Sequence, residues 1–201
     1  MKKGEIYEGV IEKIDFQNKG RVKIKDTTVT VKNGIPGQKV RFMINKKRGG
    51  RVEGRLLEVL EKSELEKRDP LCSIFPSCGG CMYQTMLYEE QLKMKEEQIK
   101  KLFDDAVDYE YTFEPIKGSP IEFAYRNKME FTFGDEVKDG PLALGMHKKG
   151  SFYDIVTVDG CRLVDDDYSA ILRETLCYFE EKKTPFYHRY THEGYLRHLL
   201  V

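Results

Sequence analysis

The sequence predicts a mainly β protein with helical additions (α+β): a small closed barrel of the OB type, then a β-rich block carrying a long helix and a cysteine cluster. Three observations carry that reading. Residues 4–59 are a succession of short β-branched runs broken by glycine turns, Cys72, Cys78 and Cys81 fall within ten residues, and residues 83–106 switch to helical periodicity.

At 201 residues the chain can form one large domain or two small ones. The division read from the sequence is a barrel over 1–60, a linker over 61–71 and a central domain over 72–201. Charged residues make up 34% of the chain and no apolar run approaches membrane-spanning length, so no membrane partner is expected. The start, Met1-Lys-Lys-Gly-Glu-Ile-Tyr7, lacks the apolar core of a signal peptide, and a cytoplasmic monomer is expected. The formal net charge of zero conceals a split. Residues 1–57 hold fifteen Lys and Arg against six Asp and Glu, an excess of +9, so residues 58–201 carry −9. A basic β module joined to an acidic body points to a polyanionic partner, with nucleic acid the leading class.

Within the first block, Ile6, Val10 and Ile14 punctuate a charged run, Arg21–Lys25 alternates strictly, and Thr28–Lys32 is β-branched. Gly34-Ile-Pro-Gly37 is turn chemistry before Lys39–Asn45, and Lys46–Arg51 reads as a basic hairpin tip leading into Val52–Leu60. Five short strands at this spacing suit a barrel that binds nucleic acid through a charged face. Lys46, Lys47, Arg48 and Arg51 are candidates for phosphate contact rather than base readout.

Glu61–Asp69 is dense in charge and ends at Pro70. From Tyr83 to Ala106, Leu87, Gln91, Leu92, Met94, Ile99, Leu102 and Phe103 form a stripe expected to pack into a core, with Glu89/Lys93 and Glu96/Lys100 spaced to pair outside it. Residues 107–120 read as a connection. Strands are expected over Tyr125–Gly134, Leu142–Lys149 and Tyr153–Val158, and a helix over Asp165–Glu181 with Asp165, Asp166 and Asp167 at its positive end. Gly194–Val201 reads as a strand without a terminal turn, as though the chain continued.

Cys72-x5-Cys78-Gly-Gly-Cys81 is the densest chemistry in the chain. Thiolates converging on one centre bind zinc or an iron–sulfur cluster, and either wants a fourth ligand. Two cysteines remain. Cys161 follows Asp-Gly at a strand end, where its thiol projects freely, whereas Cys177 on a helix reads as a small buried residue. Cys161 is therefore the expected fourth ligand. His188, His192 and His198 lack a coherent ligand spacing.

These residues carry a resemblance. Cys72-x5-Cys78-Gly79-Gly80-Cys81-x2-Gln84, followed by Tyr88-x2-Gln91-Leu92-x2-Lys95, resembles the iron–sulfur signature of the RNA uracil-5-methyltransferases, in the branch that methylates 23S ribosomal RNA. Tyr125-Arg126-Asn127-Lys128, Leu144–Gly150, Asp154-Ile155-Val156-x-Val158-x2-Cys161 and Gly194-x-Leu196-Arg197-His198-Leu199 also fit that family. The resemblance implies an N-terminal TRAM domain, which is an OB-like RNA-binding barrel. It implies a 4Fe-4S cluster on Cys72, Cys78, Cys81 and Cys161 in a central RNA-gripping domain, and RNA contacts at Arg126, Lys128, His147 and Lys148 on adjacent strands. It further implies a Rossmann-like domain binding S-adenosylmethionine. In the family a cysteine there attacks C6 of a flipped-out uracil, C5 takes the methyl group and a glutamate removes the C5 proton.

The chain departs from that pattern in having no glycine-rich cofactor loop after a strand and no catalytic motif around Cys177. The expectation is the RNA-binding, cluster-bearing front part of an S-adenosylmethionine-dependent 23S rRNA uridine-C5 methyltransferase, with no catalytic residue and no S-adenosylmethionine site of its own. One alternative is a freestanding RNA-binding module with a structural metal centre. The other, a radical S-adenosylmethionine enzyme, is disfavoured by the x5 spacing.

Overall fold

The computed structural model describes residues 1–201 and divides into two compact units. The first comprises Met1–Asp69 and Met82–Gly118, the second Pro70–Cys81 and Ser119–Val201. The long helix is thus grouped with the barrel, where the sequence reading put it in the central domain.

In the first unit, β1 (Ile6–Asp15), β2 (Lys19–Ile24), β3 (Thr27–Lys32), β4 (Lys39–Arg48) and β5 (Arg51–Glu61) close a barrel in the order β1-β2-β3-β5-β4. β3 and β5 pair in parallel and the other neighbours are antiparallel. Alternation dictates the interior: Val22, Val29, Val31, Val40, Phe42 and Ile44 are fully buried while residues between them face outward. Register shifts in β4–β5 supply the bends that closure requires.

Glu61–Asp69, expected as a linker, is ordered against the barrel. Glu66 accepts hydrogen bonds from Gln38 Nε2 at 2.8 Å, the Ser63 amide at 2.9 Å and Thr85 Oγ1 at 3.0 Å. One carboxylate therefore ties the β3–β4 connection, the post-barrel segment and residues 83–86 together, and charge-assisted bonds of this kind are stronger than neutral ones.

Helix α1 spans Tyr88–Ala106 and starts five residues later than its periodicity suggests. Residues 83–87 turn instead: Met86 is fully buried, and the Gln91 side chain donates to the carbonyls of Tyr83 and Met86. The apolar stripe also differs from expectation. Only Met94 is buried, alongside barrel residues, while Phe103 joins Tyr111 and Phe113 in a partly exposed ring cluster. Lys100 pairs with Asp104 at 2.8 Å rather than with Glu96, because Asp104 is also fixed by the Tyr111 hydroxyl.

The second unit is built on β6 (Glu130–Asp135), β7 (Leu142–His147), β8 (Ile155–Thr157) and β9 (His198–Leu200), in the order β8-β7-β6-β9 and antiparallel throughout. Helix α2 (Asp166–Glu181) buries Leu172 against this sheet, and Phe179 meets Phe133 edge-on at 5.6 Å. Asp165 caps α2 by accepting from the Asp167 amide, as its acidic start suggested. Cys177 is exposed rather than buried. Five residues on from Leu172, it is turned about 140° from the packed face. No helix is long and apolar enough to cross a membrane.

Candidate cysteine centre and ring-lined pocket

Cys72, Cys78 and Cys81 sit on a loop pinned to the end of β7. Gly79 N–H donates to the His147 carbonyl at 2.9 Å and Lys149 N–H to the Ser77 carbonyl at 2.7 Å, bridging Cys78 to Lys148. Approach is so close that a Cβ on Gly79 would lie 2.9 Å from the His147 carbonyl oxygen, so glycine at 79 is a packing requirement, whereas a Cβ on Gly80 would meet only ordinary contacts. Cys161 arrives from the turn after β8, where Gly160 adopts φ +78° and donates to Ser169 Oγ at 3.0 Å.

The four expected ligands are part-buried and form no disulfide, and Cys78 and Cys161 each feel the charges of other cysteines of the set. Burial pushes the Cys78 thiol up, the Gly80 N–H opposes this, and Cys81, Cys161 and Cys72 add to the rise. Burial likewise raises Cys161; the Leu163 N–H counters it, Cys81 and Cys72 reinforce it, and Arg126 lowers it. No three Cys, His, Asp or Glu side chains converge tightly enough to hold a metal ion. A single zinc at about 2.3 Å from each sulfur would draw the sulfurs to within about 4 Å of one another. A polynuclear cluster places each thiolate on its own iron and so tolerates a wider donor set.

Two cations border the thiols. One, Arg126, was expected as an RNA contact on a strand. It precedes β6, because residues 124 and 126 pair with the carbonyls of Arg162 and Leu163 instead of a sheet neighbour, and its Nη1 lies 3.6 Å from Met129 Sδ. Lys128 shares that irregular segment and is exposed. The other cation, Lys149, was not singled out by its sequence. It lies 5.1 Å from the Phe75 ring centre; burial lowers its ammonium, and Cys81 and Cys78 oppose that fall. Its place directly after Lys148 in a Lys-Lys pair was the available signal. Lys148 itself pairs with Glu136 at 3.5 Å.

The barrel candidates are gathered as expected. Lys46, Lys47, Arg48 and Arg51 are all exposed on the β4–β5 hairpin, with Arg48 opposite Arg51 across a Gly49-Gly50 turn whose φ angles of +56° and +74° only glycine adopts cheaply. Lys46 lies 4.0 Å from Glu53, a distance that leaves its charge largely available.

His147, the last residue of β7, lines a cavity of about 620 Å³ in the second unit. Its Nδ1 is buried without a partner, and burial, then Arg189 and His198, push the imidazole toward its neutral form. Phe152, Tyr153, Arg189, Tyr190 and Arg197 share this cavity, and none was a sequence-based candidate. Scattered aromatics in a long connection carry no periodic signal. His188, His192 and His198 do not converge on a metal position.

The overall fold is shared with a solved structure. The crystal structure of Pyrococcus abyssi tRNA (uracil-54, C5)-methyltransferase in complex with S-adenosyl-L-homocysteine matches with a TM-score of 0.65 at 22% identity, over 96% of this chain and 42% of that one. Relatives described as uncharacterized RNA methyltransferases match the chain from end to end. One from Clostridium tetani is 46% identical and one from Caldanaerobacter subterraneus subsp. tengcongensis is 44% identical, each over 201 residues. The chain spans 44% of the length of these curated relatives. No family model matches it.

Proposed function

We propose that the chain is the RNA-binding front portion of an S-adenosylmethionine-dependent RNA uridine-C5 methyltransferase acting on 23S ribosomal RNA. The observation that carries this reading is the end-to-end match to relatives named RNA methyltransferases, at 46% and 44% identity. The basic β4–β5 hairpin supports RNA contact by the barrel, since four exposed cations on one short hairpin suit a phosphate backbone. The uridine-C5 and ribosomal assignments rest on the resemblance of the cysteine segment.

Cys72, Cys78, Cys81 and Cys161 would hold a 4Fe-4S cluster, with Arg126 and Lys149 offsetting its negative charge. Such a cluster, fully ligated by cysteines, would supply a cross-link between the 72–81 loop and the strand end at Cys161 rather than a reactive iron. Because the chain spans 44% of the relatives' length, this reading assigns methyl-donor binding and base chemistry to the part of the relatives that it does not cover, and expects the chain alone to be inactive.

The test is transfer of a radiolabelled methyl group from S-adenosylmethionine to C5 of uridine, comparing the complete reading frame with the 201-residue chain on 23S ribosomal RNA and on tRNA transcripts. The expected result is labelling of 23S ribosomal RNA by the complete protein only. No uridine labelling by the complete protein would refute the assignment, and labelling of tRNA alone would refute the ribosomal substrate.

A further inference from the structure

The cavity of about 620 Å³ in the second unit is bordered by a continuous ladder of rings. His147 stacks on Phe152 at 6.2 Å, Phe152 meets Tyr153 edge-on at 5.5 Å, and Tyr153 stacks on Tyr190 at 5.6 Å with their hydroxyls 3.1 Å apart. These rings are not core. Phe152, Tyr153 and Tyr190 are 67%, 53% and 73% exposed, and open ring area of that size in a concave site needs an explanation. Two guanidinium groups lie on the ring faces instead of in ion pairs: Arg189 is 4.9 Å from the centre of Phe152, and Arg197 is 3.5 Å from that of Tyr187.

The geometry points to a binding site for unpaired nucleotides of single-stranded RNA, whose bases stack on Tyr190 and Tyr153 while Arg189 and Arg197 meet the phosphates. This rests on the reading of the chain as RNA-binding and adds to it a site, distinct from the basic hairpin, that engages bases as well as backbone. Exposed rings beside arginines are the combination that single-stranded nucleic acid uses, because every base presents a π-face and every linkage a negative charge. The volume lies within the range of small-ligand sites, about 300–1,000 Å³. Two carboxylates, Asp135 and Asp154, also line the cavity, so the site is not a plain cationic trough, and ring contact rather than charge is its distinguishing feature.

The test titrates the 201-residue chain with a labelled RNA single strand of roughly eight nucleotides, read by fluorescence anisotropy, and with the same strand carrying abasic positions. Tyr190→Ala and Tyr153→Ala should each weaken binding by about tenfold to a hundredfold without changing its salt dependence. Tyr190→Phe, which keeps the ring, should bind as the parent does, and the abasic strand should bind weakly to parent and variants alike. Matched circular dichroism melts establish that the exposed substitutions leave the fold intact. If the alanine variants and the abasic strand bind as tightly as their parents, the stacking site is overturned while the RNA reading stands; a cavity that serves a protein segment gives this same result. If the parent chain binds no RNA at all, both are overturned.

Discussion

The two units solve the stability problem differently. The barrel unit closes on itself: Ile11, Val22, Val29, Val31, Val40, Phe42 and Ile44 are all fully buried, and every strand has two neighbours. The second unit has a four-stranded open sheet whose edge strands, β8 and β9, are three residues each, and much of its chain is irregular. Its cysteine loop and the Cys161 turn are placed by a few backbone hydrogen bonds. The lesson is that the first unit carries its stability in a closed apolar barrel, while the second packs its apolar core under an open sheet and would gain from the group proposed at its thiols.

The largest expected effect separates the two on that ground. Binding at the native site alone stabilises by mass action, so stripping a reconstituted centre with chelator, or replacing Cys161 with Ser, should lower the melting temperature of the second unit by on the order of 10 °C. The barrel transition should stay where it was. A single transition that moves as a whole would break the comparison.

The converse substitution is Phe42→Ala. Phe42 is fully buried and stacks near Tyr7 with ring centres 6.4 Å apart, so truncation should cost about 3–5 kcal/mol in the barrel, read by denaturant unfolding. Metal uptake by the second unit should be unaffected.

Smaller in stability but specific in function is neutralisation of Lys46, Lys47, Arg48 and Arg51. These side chains are exposed, so folding should be unchanged, while the slope of log affinity against log salt for single-stranded RNA should fall by up to about 3. An unchanged slope would remove the hairpin from the interface.

The smallest effect is electrostatic. Burial raises the Asp15 carboxyl, but the Arg21 hydrogen bond at 2.6 Å and the charges of Arg21 and Lys13 outweigh it and hold the group below its ordinary value of 3.8. A depressed carboxyl contributes stability above its unfolded-state pKa and loses it as pH falls through the folded value. Asp15→Asn should therefore weaken the barrel slightly at neutral pH and flatten its acid dependence below about pH 4, seen in melts across pH.

Legibility followed the same divide. The barrel strands could be read within a few residues because period-two alternation is imposed by an interior that must be apolar, as Val29 and Val31 show. The acidic N-cap of α2 was equally local and equally readable. Spacing and resemblance anticipated that Cys161 lies near the Cys72–Cys81 loop, whereas a shared ligand set stays a proposal. What escaped was non-local. The start of α1 is set by Gln91 and the buried Met86, not by propensity, and Arg126 is drawn off the sheet by pairing with residues 162–163. The Phe152–Tyr153–Tyr190 ladder joins rings 37 residues apart, and no periodicity announces such a meeting.

The most direct measurement is the metal content of the chain after anaerobic reconstitution with iron and sulfide, read by elemental analysis and visible absorption. The expected result is about four irons and four sulfides per chain with broad absorption in the blue, lost on Cys161→Ser. Stoichiometric zinc with neither iron nor sulfide, or full iron retention in Cys161→Ser, would contradict it.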